Sequence, residues 1–118
     1  MSRALETLRV LSIVAFLGYG VACVMGRSMV GEFERFGLAR FRVLTGVLEV
    51  LGALGLLVSY AIPVLLPLSA GGLALLMFLG VLTRLRVRDS IAQTTPAFVL
   101  MVTNGVLAAA PYLGSAPA

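Results

Sequence analysis

Four long apolar stretches, separated by short polar or proline-containing segments, make up most of the chain. They cover residues 5–25, residues 43–62, a third stretch from the turn at Pro63 and Pro67 to about Leu82, and residues 97–112. A helix needs about 20 consecutive apolar residues to cross the hydrocarbon core of a bilayer. The pattern therefore predicts an all-α polytopic membrane protein, a bundle of four transmembrane helices in the lipid bilayer.

A shorter amphipathic pattern joins the first two stretches, in residues 27–42. One set of residues recurs at helical intervals and charged residues take the other side: Met29 or Val30, Phe33, Phe36 or Gly37, Arg40 and Phe41 against Glu32, Glu34 and Arg35. This pattern is typical of a short interfacial helix with its phenylalanines toward the apolar core of the membrane. Gly31 and Gly37 weaken it, so we expect two turns with a break, and a solvent-exposed linker is the alternative.

Composition supports the membrane class. Of the 118 residues, 60% are hydrophobic and 12% are charged, whereas about 25% of residues are charged in soluble domains. We expect a single membrane-embedded domain over residues 1–113, followed by a disordered tail over residues 114–118.

The distribution of basic residues predicts an orientation. All nine basic residues are arginine, and seven belong to the first and third loops: Arg27, Arg35, Arg40, Arg42, Arg84, Arg86 and Arg88. Basic residues concentrate in the cytoplasmic loops of membrane proteins. We therefore expect loops one and three in the cytoplasm, both termini outside, and a location in the bacterial cytoplasmic (inner) membrane. Because topology accounts for the basic charge, we predict no nucleic-acid binding.

The second apolar stretch contains one carboxylate, Glu49. It lies six residues after Val43, which corresponds to a depth of about 9 Å. An ionisable side chain at that depth is usually paired or protonated and faces the interior of the bundle, so Glu49 is a candidate functional group. The alternative is a buried acid that only fixes how the helices pack.

Polar residues on neighbouring helices lie at the same predicted depth. Tyr19 precedes Gly26 by seven residues, and Asn104 follows Ala97 by seven residues, which is about 10 Å in each case. Thr45 lies one turn before Glu49 on the same face. The predicted ligand-binding set is Glu49, Tyr19, Asn104, Thr45, Arg42 and Arg84, arranged for a polar head group that enters from the cytoplasmic leaflet. Interhelical hydrogen bonding alone is the alternative.

Small residues predict where helices approach closely, and reactive residues are few. Gly18 and Ala22 form a small-xxx-small step on the first helix, and residues 69–72 are small enough for a backbone contact on the third. The sequence has one cysteine, Cys23, and no histidine, which excludes an internal disulfide and a Cys-x-x-Cys redox pair. We predict neither catalytic residues nor a metal site.

Several motifs occur in a recognisable order. The connector ends Glu34-Arg35-Phe36-Gly37-Leu38, and the second helix reads Gly46-Val-Leu-Glu49-Val-Leu-Gly52-Ala-Leu-Gly55-Leu56. The third helix ends Leu79-Gly-Val-Leu-Thr-Arg84-Leu-Arg86, and Pro96 leads the fourth. Over residues 5–112 this order resembles the DoxX-like family of small four-helix bacterial membrane proteins.

The resemblance implies a four-helix bundle associated with quinone- or thiosulfate-linked redox systems, or with larger membrane complexes. Many relatives place a lysine near the end of the first helix and a histidine near the end of the third. Here those positions read Cys23-Val24-Met25 and Thr83-Arg84. This departure argues against catalysis by the chain itself, because ordinary proton carriers and haem ligands are missing from those positions.

Three functions remain open at this point. The first is an accessory or scaffold subunit of a quinone-linked redox system, which uses Glu49 for packing or for binding a small hydrophobic ligand, with quinone as the cofactor the resemblance suggests. Such a subunit is expected to form a homo-oligomer or to join a larger membrane complex. The alternatives are a small proton-coupled transporter that uses Glu49 and a subunit of a quinone-dependent oxidoreductase.

Overall fold

The computed structural model describes residues 3–113, with side-chain surroundings described through residue 110. Within that range the chain forms α1 (Arg3–Met25), α2 (Arg27–Phe36), a 3-10 turn (Ala39–Phe41), α3 (Arg42–Val58), α4 (Leu65–Arg86) and α5 (Ile91–Leu113). Four segments are long and apolar enough to cross a membrane: Arg3–Met25, Ala39–Val58, Leu65–Arg86 and Ile91–Ala110. The predicted all-α bundle of four spans is confirmed. The tail predicted for residues 114–118 lies outside the described residues.

The helices α1 and α3 pack against each other, and their backbones meet at a pair of glycines. A Cβ atom on Gly20 would lie 2.9 Å from the carbonyl oxygen of Gly46, and a Cβ atom on Gly46 would lie 2.7 Å from the carbonyl oxygen of Gly20. Both positions therefore need glycine. The step at Gly18 predicts a close approach, but Gly18 has open space beside it. Because α1 is apolar on nearly every side, its sequence does not reveal which small residue faces the partner.

The helices α4 and α5 form a second pair, and α3 connects the two pairs. At the α3–α4 junction the side chain of Ser69 lies against Gly55 and that of Leu73 against Gly52. The close contact predicted for residues 69–72 is therefore made by a side chain against glycine on α3, whereas Gly72 has open space beside it.

The apolar core fills the half of the bundle that lies away from α2. One buried cluster joins all four spans there: Ile13, Phe16, Ala53, Leu56, Leu66, Ala70, Leu73 and Leu107.

Polar contacts of Arg9 lie beyond this cluster. The buried Arg9 side chain donates to Ser59 Oγ at 3.3 Å, and its guanidinium carbon lies 4.2 Å from the Tyr60 ring centre. Burial, together with a hydrogen bond that the Tyr60 hydroxyl donates to Glu6, raises the pKa of Tyr60. This end of the bundle is filled by side chains.

The helix α2 lies across the opposite end of the bundle. It continues through Gly31 and ends at Gly37, whose φ of 74° is a left-handed conformation that glycine adopts without strain. The backbone N–H of Leu38 donates to the Phe33 carbonyl at 2.9 Å, which completes a Schellman cap. The predicted break therefore occurs at Gly37 and not at Gly31.

The phenylalanines of α2 face protein. Phe33 and Phe36 are buried in one cluster with Cys23 of α1, and their ring centres lie 5.8 Å apart in an edge-to-face arrangement. The amphipathic pattern found the apolar face correctly, but this face packs on the ends of the spans. The helix therefore covers the end of the bundle.

The helix α5 begins six residues before the predicted start, at Ile91 and not at Ala97. Ser90 Oγ accepts a hydrogen bond from the Gln93 backbone N–H, and Gln93 Oε1 accepts one from the Ser90 backbone N–H, each at 3.1 Å. This reciprocal pair is a capping box. Pro96 therefore lies inside the helix, and depths counted from Ala97 are too small by about 9 Å.

Candidate functional site

A cavity of about 570 Å³ lies in the half of the bundle next to α2. All four spans contribute to its walls, and α2 with the 3-10 turn covers its end. Most of the lining side chains are apolar, and five of them carry aromatic rings: Phe16, Tyr19, Phe33, Phe36 and Phe41. Its size falls in the range of about 300–1,000 Å³ that is usual for small-molecule sites.

Glu49 contributes a carboxyl group to the cavity lining. Its position follows from the helical period, because Gly46, Ala53 and Leu56 are buried on the same face of α3. The residue is only 4% exposed, and its Oε2 atom has no hydrogen-bond partner among the described residues. A buried carboxyl oxygen without a partner is costly. Either a proton or a bound molecule has to satisfy it.

Three further residues of the predicted ligand-binding set line the same cavity. Tyr19 and Thr45 contribute hydroxyl groups from α1 and α3, and Arg84 lies at the end of α4. The structure therefore brings Glu49, Tyr19, Thr45 and Arg84 to one cavity. Their role in binding a ligand stays a prediction.

Asn104 is fully buried but lies elsewhere. Its side-chain nitrogen donates to Ser12 Oγ at 3.2 Å and to the Leu100 carbonyl at 2.9 Å. Ser12 lies seven residues before Tyr19 on α1, about 10 Å farther from α2. The predicted common level of Asn104 with Tyr19 and Glu49 is therefore wrong. The error comes from the early start of α5, which shifts every depth counted along that helix.

Arg42 also has a different role from the predicted one. Its guanidinium donates to the backbone carbonyls of Cys23 at 2.7 Å and Val24 at 2.6 Å. The last carbonyls of a helix lack intrahelical partners and favour a positive charge. Arg42 therefore caps the end of α1 instead of facing Glu49.

A charged cluster, defined by Glu32, Arg35, Arg84 and Asp89, attaches α2 to the end of α4. Arg35 contacts both carboxylate oxygens of Asp89, at 2.6 and 3.1 Å, and Glu32 at 2.6 Å. Arg84 lies 2.8 Å from Asp89 and 3.4 Å from Glu32. Because Arg84 also lines the cavity, the charged cluster forms part of the rim under α2.

The hydrogen bonds of the charged cluster shift the pKa values of its members. Hydrogen bonds from Arg35 and then Arg84 lower the pKa of Asp89, and the bonds to Asp89 and Glu32 raise the pKa of Arg35. Arg88 adopts a left-handed φ of 61°, and the Asp89 backbone N–H donates to the Arg84 carbonyl at 2.9 Å. This second Schellman cap turns the chain so that the Asp89 side chain meets both arginines.

The sequence pattern placed Glu32 and Arg35 on the charged side of the connector but did not predict the charged cluster. The spacing of three residues indicates a local pair on α2. Asp89 is 54 residues from Arg35, and nothing in the pattern shows that α2 folds back against the end of α4.

Cys23 is a second residue whose place the sequence did not reveal. It is fully buried, has a free thiol and lines the cavity beside Phe33 and Phe36. Because it is the only cysteine of the chain, its thiol is a built-in reporter of access to the cavity. Among residues 3–113 no group of three His, Cys, Asp or Glu side chains is arranged for a metal.

The fold and the site define a class: a multi-pass membrane protein whose four apolar helices line a small cavity that includes one buried acidic residue. The sequence profile of the DoxX-like family matches residues 7–106. The chain therefore belongs to the DoxX-like family, as its motifs indicated. Comparison with curated proteins and with solved structures gave no match.

Proposed function

We propose that the chain is a membrane-embedded accessory subunit that binds a small hydrophobic molecule in the cavity next to Glu49. The observation that supports this most strongly is the position of Glu49, a buried acid whose Oε2 atom has no partner among the described residues, in the lining of a cavity of about 570 Å³. The fold leaves this polar group unsatisfied at the place where there is room for a ligand.

The contrast with Asn104 favours ligand binding over a purely structural acid. Interhelical hydrogen bonds hold membrane bundles together, and Asn104 makes one with Ser12. Glu49 is 4% exposed and Asn104 is 0% exposed, and each has one side-chain oxygen, Oε2 and Oδ1 respectively, that is buried without a partner among the described residues. Unlike Asn104, Glu49 makes no interhelical hydrogen bond among those residues. A residue retained only for packing is expected to look like Asn104.

The ligand is expected to be mostly apolar, with one polar group. The lining is dominated by aliphatic and aromatic side chains. Its polar groups include Glu49 and the hydroxyls of Tyr19 and Thr45, and Ser28, Thr83, Arg84 and Gln93 also line it. A quinone, whose carbonyl oxygens accept hydrogen bonds, is compatible with protonated Glu49 and these hydroxyls as donors. The association with a quinone-linked redox system is part of this proposal and is suggested by the resemblance of the motifs alone.

The positive loops support an orientation in which α2 and the cavity face the cytoplasm. Seven of the nine arginines lie at this end, and both termini are then outside. An alkaline phosphatase fused to the C-terminus is expected to be active, and a fluorescent protein fused there is expected to be dark. The reverse pattern would overturn the orientation.

Transport coupled to protons is a weaker proposal for this fold. A transporter needs access to its site from both sides of the membrane. The half of the bundle away from α2 is filled by the core cluster and by the Arg9–Tyr60 stack, and the cavity lies in the other half. Binding from one side therefore fits the described packing better.

The proposed function is tested by analysing what the protein retains. The wild type, Glu49→Gln and Glu34→Gln are purified from native membranes, and small molecules extracted from each are compared by mass spectrometry. Glu34→Gln is the matched control, since Glu34 is exposed on α2. We expect one class of hydrophobic molecule with the wild type and the control, and its loss with Glu49→Gln. Identical extracts from all three proteins would contradict the proposal.

A further inference from the structure

The carboxyl group in the cavity has no cation of its own. None of the ion pairs among the described residues includes Glu49. Arg42, the arginine nearest to Glu49 along α3, already donates to the carbonyls of Cys23 and Val24. Arg84, the arginine of the cavity lining, already pairs with Asp89 and Glu32. The protein therefore does not neutralise this carboxylate internally.

The rest of the lining is suited to a positive charge with an apolar body. Five aromatic rings line the cavity, and ring faces attract cations that lie within about 6 Å of their centres. Phe36 already binds cations in this way, since the guanidinium carbons of Arg35 and Arg84 lie 5.0 and 5.2 Å from its ring centre. Phe16, Tyr19, Phe33 and Phe41 are the other aromatic residues of the lining, and the guanidinium carbon of Arg40 lies 4.9 Å from the Phe41 ring centre.

We infer that the ligand of this cavity is a lipophilic monocation, such as a protonated amine with an apolar body, and that Glu49 is its counter-ion. This inference rests on the proposed function and specifies the chemical class of its ligand. The ammonium group pairs with the Glu49 carboxylate, and the aromatic residues of the lining contact the body of the molecule. In an environment of low polarity, such an ion pair is stronger than in water, and an anion of the same shape is excluded.

The experiment compares two ions of the same shape and opposite charge. The protein is placed in nanodiscs of neutral lipid, and binding of radiolabelled tetraphenylphosphonium and of tetraphenylborate is measured by equilibrium dialysis against empty nanodiscs. We expect saturable binding of the phosphonium ion, about one per chain, and no saturable binding of the borate. Equal binding of both ions would overturn the inference.

Variants of Glu49 connect the charge preference to this residue. Glu49→Gln is expected to weaken phosphonium binding at least tenfold, whereas Glu34→Gln leaves it unchanged. Glu49→Asp keeps the charge and is expected to retain saturable binding with reduced affinity. If Glu49→Gln does not fold, two comparisons still test the inference. These are the phosphonium affinity of Glu49→Asp against that of the wild type, and the binding of phosphonium against that of borate in the wild type. Unchanged phosphonium affinity in a folded Glu49→Gln protein would contradict the inference.

The cation inference and the proposed function fail in different ways. Protection of Cys23 from a membrane-permeant maleimide is measured with tetraphenylphosphonium and with the neutral short-chain quinone decylubiquinone. Protection by the phosphonium ion that is lost in Glu49→Gln supports the inference. Protection by the quinone alone overturns the inference and leaves the proposed function standing. Protection by neither, together with identical native extracts, overturns both.

Discussion

Two buried polar residues of this bundle solve the same problem in different ways. Asn104 donates both to Ser12 Oγ on α1 and to a carbonyl of its own helix. Glu49, which is 4% exposed, makes no such bond among the described residues and is part of the cavity lining, although Asn104 Oδ1 and Glu49 Oε2 are both buried without a partner there. At the scale of single residues, Asn104 therefore contributes to helix association, and Glu49 is available to a ligand.

Replacing Asn104 is expected to destabilise the bundle. The change Asn104→Ala removes the interhelical hydrogen bond to Ser12, and such bonds contribute about 0.6–2 kcal/mol in membrane proteins. Unfolding in mixed micelles measures the loss, and a double-mutant cycle with Ser12→Ala isolates the coupling between the two side chains. A coupling energy near zero would show that the contact does not stabilise the fold.

Much of the candidate site was visible in the sequence, because α3 has one polar face. Glu49 and Thr45 lie one turn apart on it, and their place on the cavity wall follows from helical periodicity. The positions of Asn104 and Arg42 depended on where helices end and on which backbone carbonyls lack partners. The capping box at Ser90 and Gln93 was readable in the sequence and would have corrected the depth of Asn104.

At the scale of the helices, the α1–α3 crossing depends on one face of glycines. Gly20 and Gly46 allow the two backbones to meet, while the apolar residues around them face lipid in the proposed bilayer. The four spans were predictable because their length and hydrophobicity alone define them. The phase of each helix was not, because a helix that is apolar on all sides gives no periodic signal.

Substituting alanine in α1 tests this crossing with a control on the same helix. Gly20→Ala places a methyl group 2.9 Å from the Gly46 carbonyl oxygen, and overpacking of this kind costs about 1–3 kcal/mol. Gly18→Ala adds the same group where there is open space and is expected to be neutral or slightly stabilising. Both are measured as free energies of unfolding in mixed micelles. Equal effects at the two positions would contradict the described crossing.

The charged cluster joins α2 to the end of α4, and α2 packs over Cys23, so we expect this attachment to limit access to the Cys23 thiol. Asp89 pairs with arginines from both α2 and α4, so Asp89→Asn removes the charge that joins these helices. We expect the rate of Cys23 labelling by N-ethylmaleimide to rise severalfold, with Glu34→Gln as the unaffected control. Unchanged labelling in Asp89→Asn would show that the phenylalanines of α2 hold it in place without the ion pairs.

The same attachment is expected to weaken in acid. Because the arginines lower the pKa of folded Asp89, the stabilisation is fully present above the ordinary aspartate pKa of about 3.9. It is lost as the pH falls through the lower, folded value. The ratio of Cys23 labelling in Asp89→Asn to that in the wild type should stay constant between about pH 5 and 8, begin to fall below about pH 4, and approach one only below the lowered pKa of folded Asp89. A ratio that already falls between pH 7 and 5 would show that an ionisable group other than Asp89 controls the attachment of α2.

At the scale of the whole molecule, the bundle consists of two helix pairs, and side chains fill the space between the pairs in one half of the bundle but not in the other. Away from α2, the space between the pairs holds the core cluster. Next to α2, the same space is a cavity of about 570 Å³ with a covering helix and a buried carboxyl group. The DoxX-like fold of this chain therefore combines a packed half with a half that has room for a ligand.

Such an arrangement predicts a separation between stability and binding. Residues of the packed half, such as Asn104, should affect the free energy of unfolding. A carboxyl group that is unsatisfied without a ligand should instead weaken the empty protein, as functional groups often do. At Glu49, therefore, a substitution that weakens ligand binding should leave the free energy of unfolding of the empty protein unchanged or increase it.

The unfolding free energy of ligand-free Glu49→Gln, measured in mixed micelles beside the wild type, tests this claim most directly. The substitution keeps the shape of the side chain and removes its charge. We therefore predict a free energy of unfolding that is higher than that of the wild type or equal to it within about 0.5 kcal/mol. A loss of more than about 1 kcal/mol would contradict the account, because it would mean that Glu49 holds the helices together.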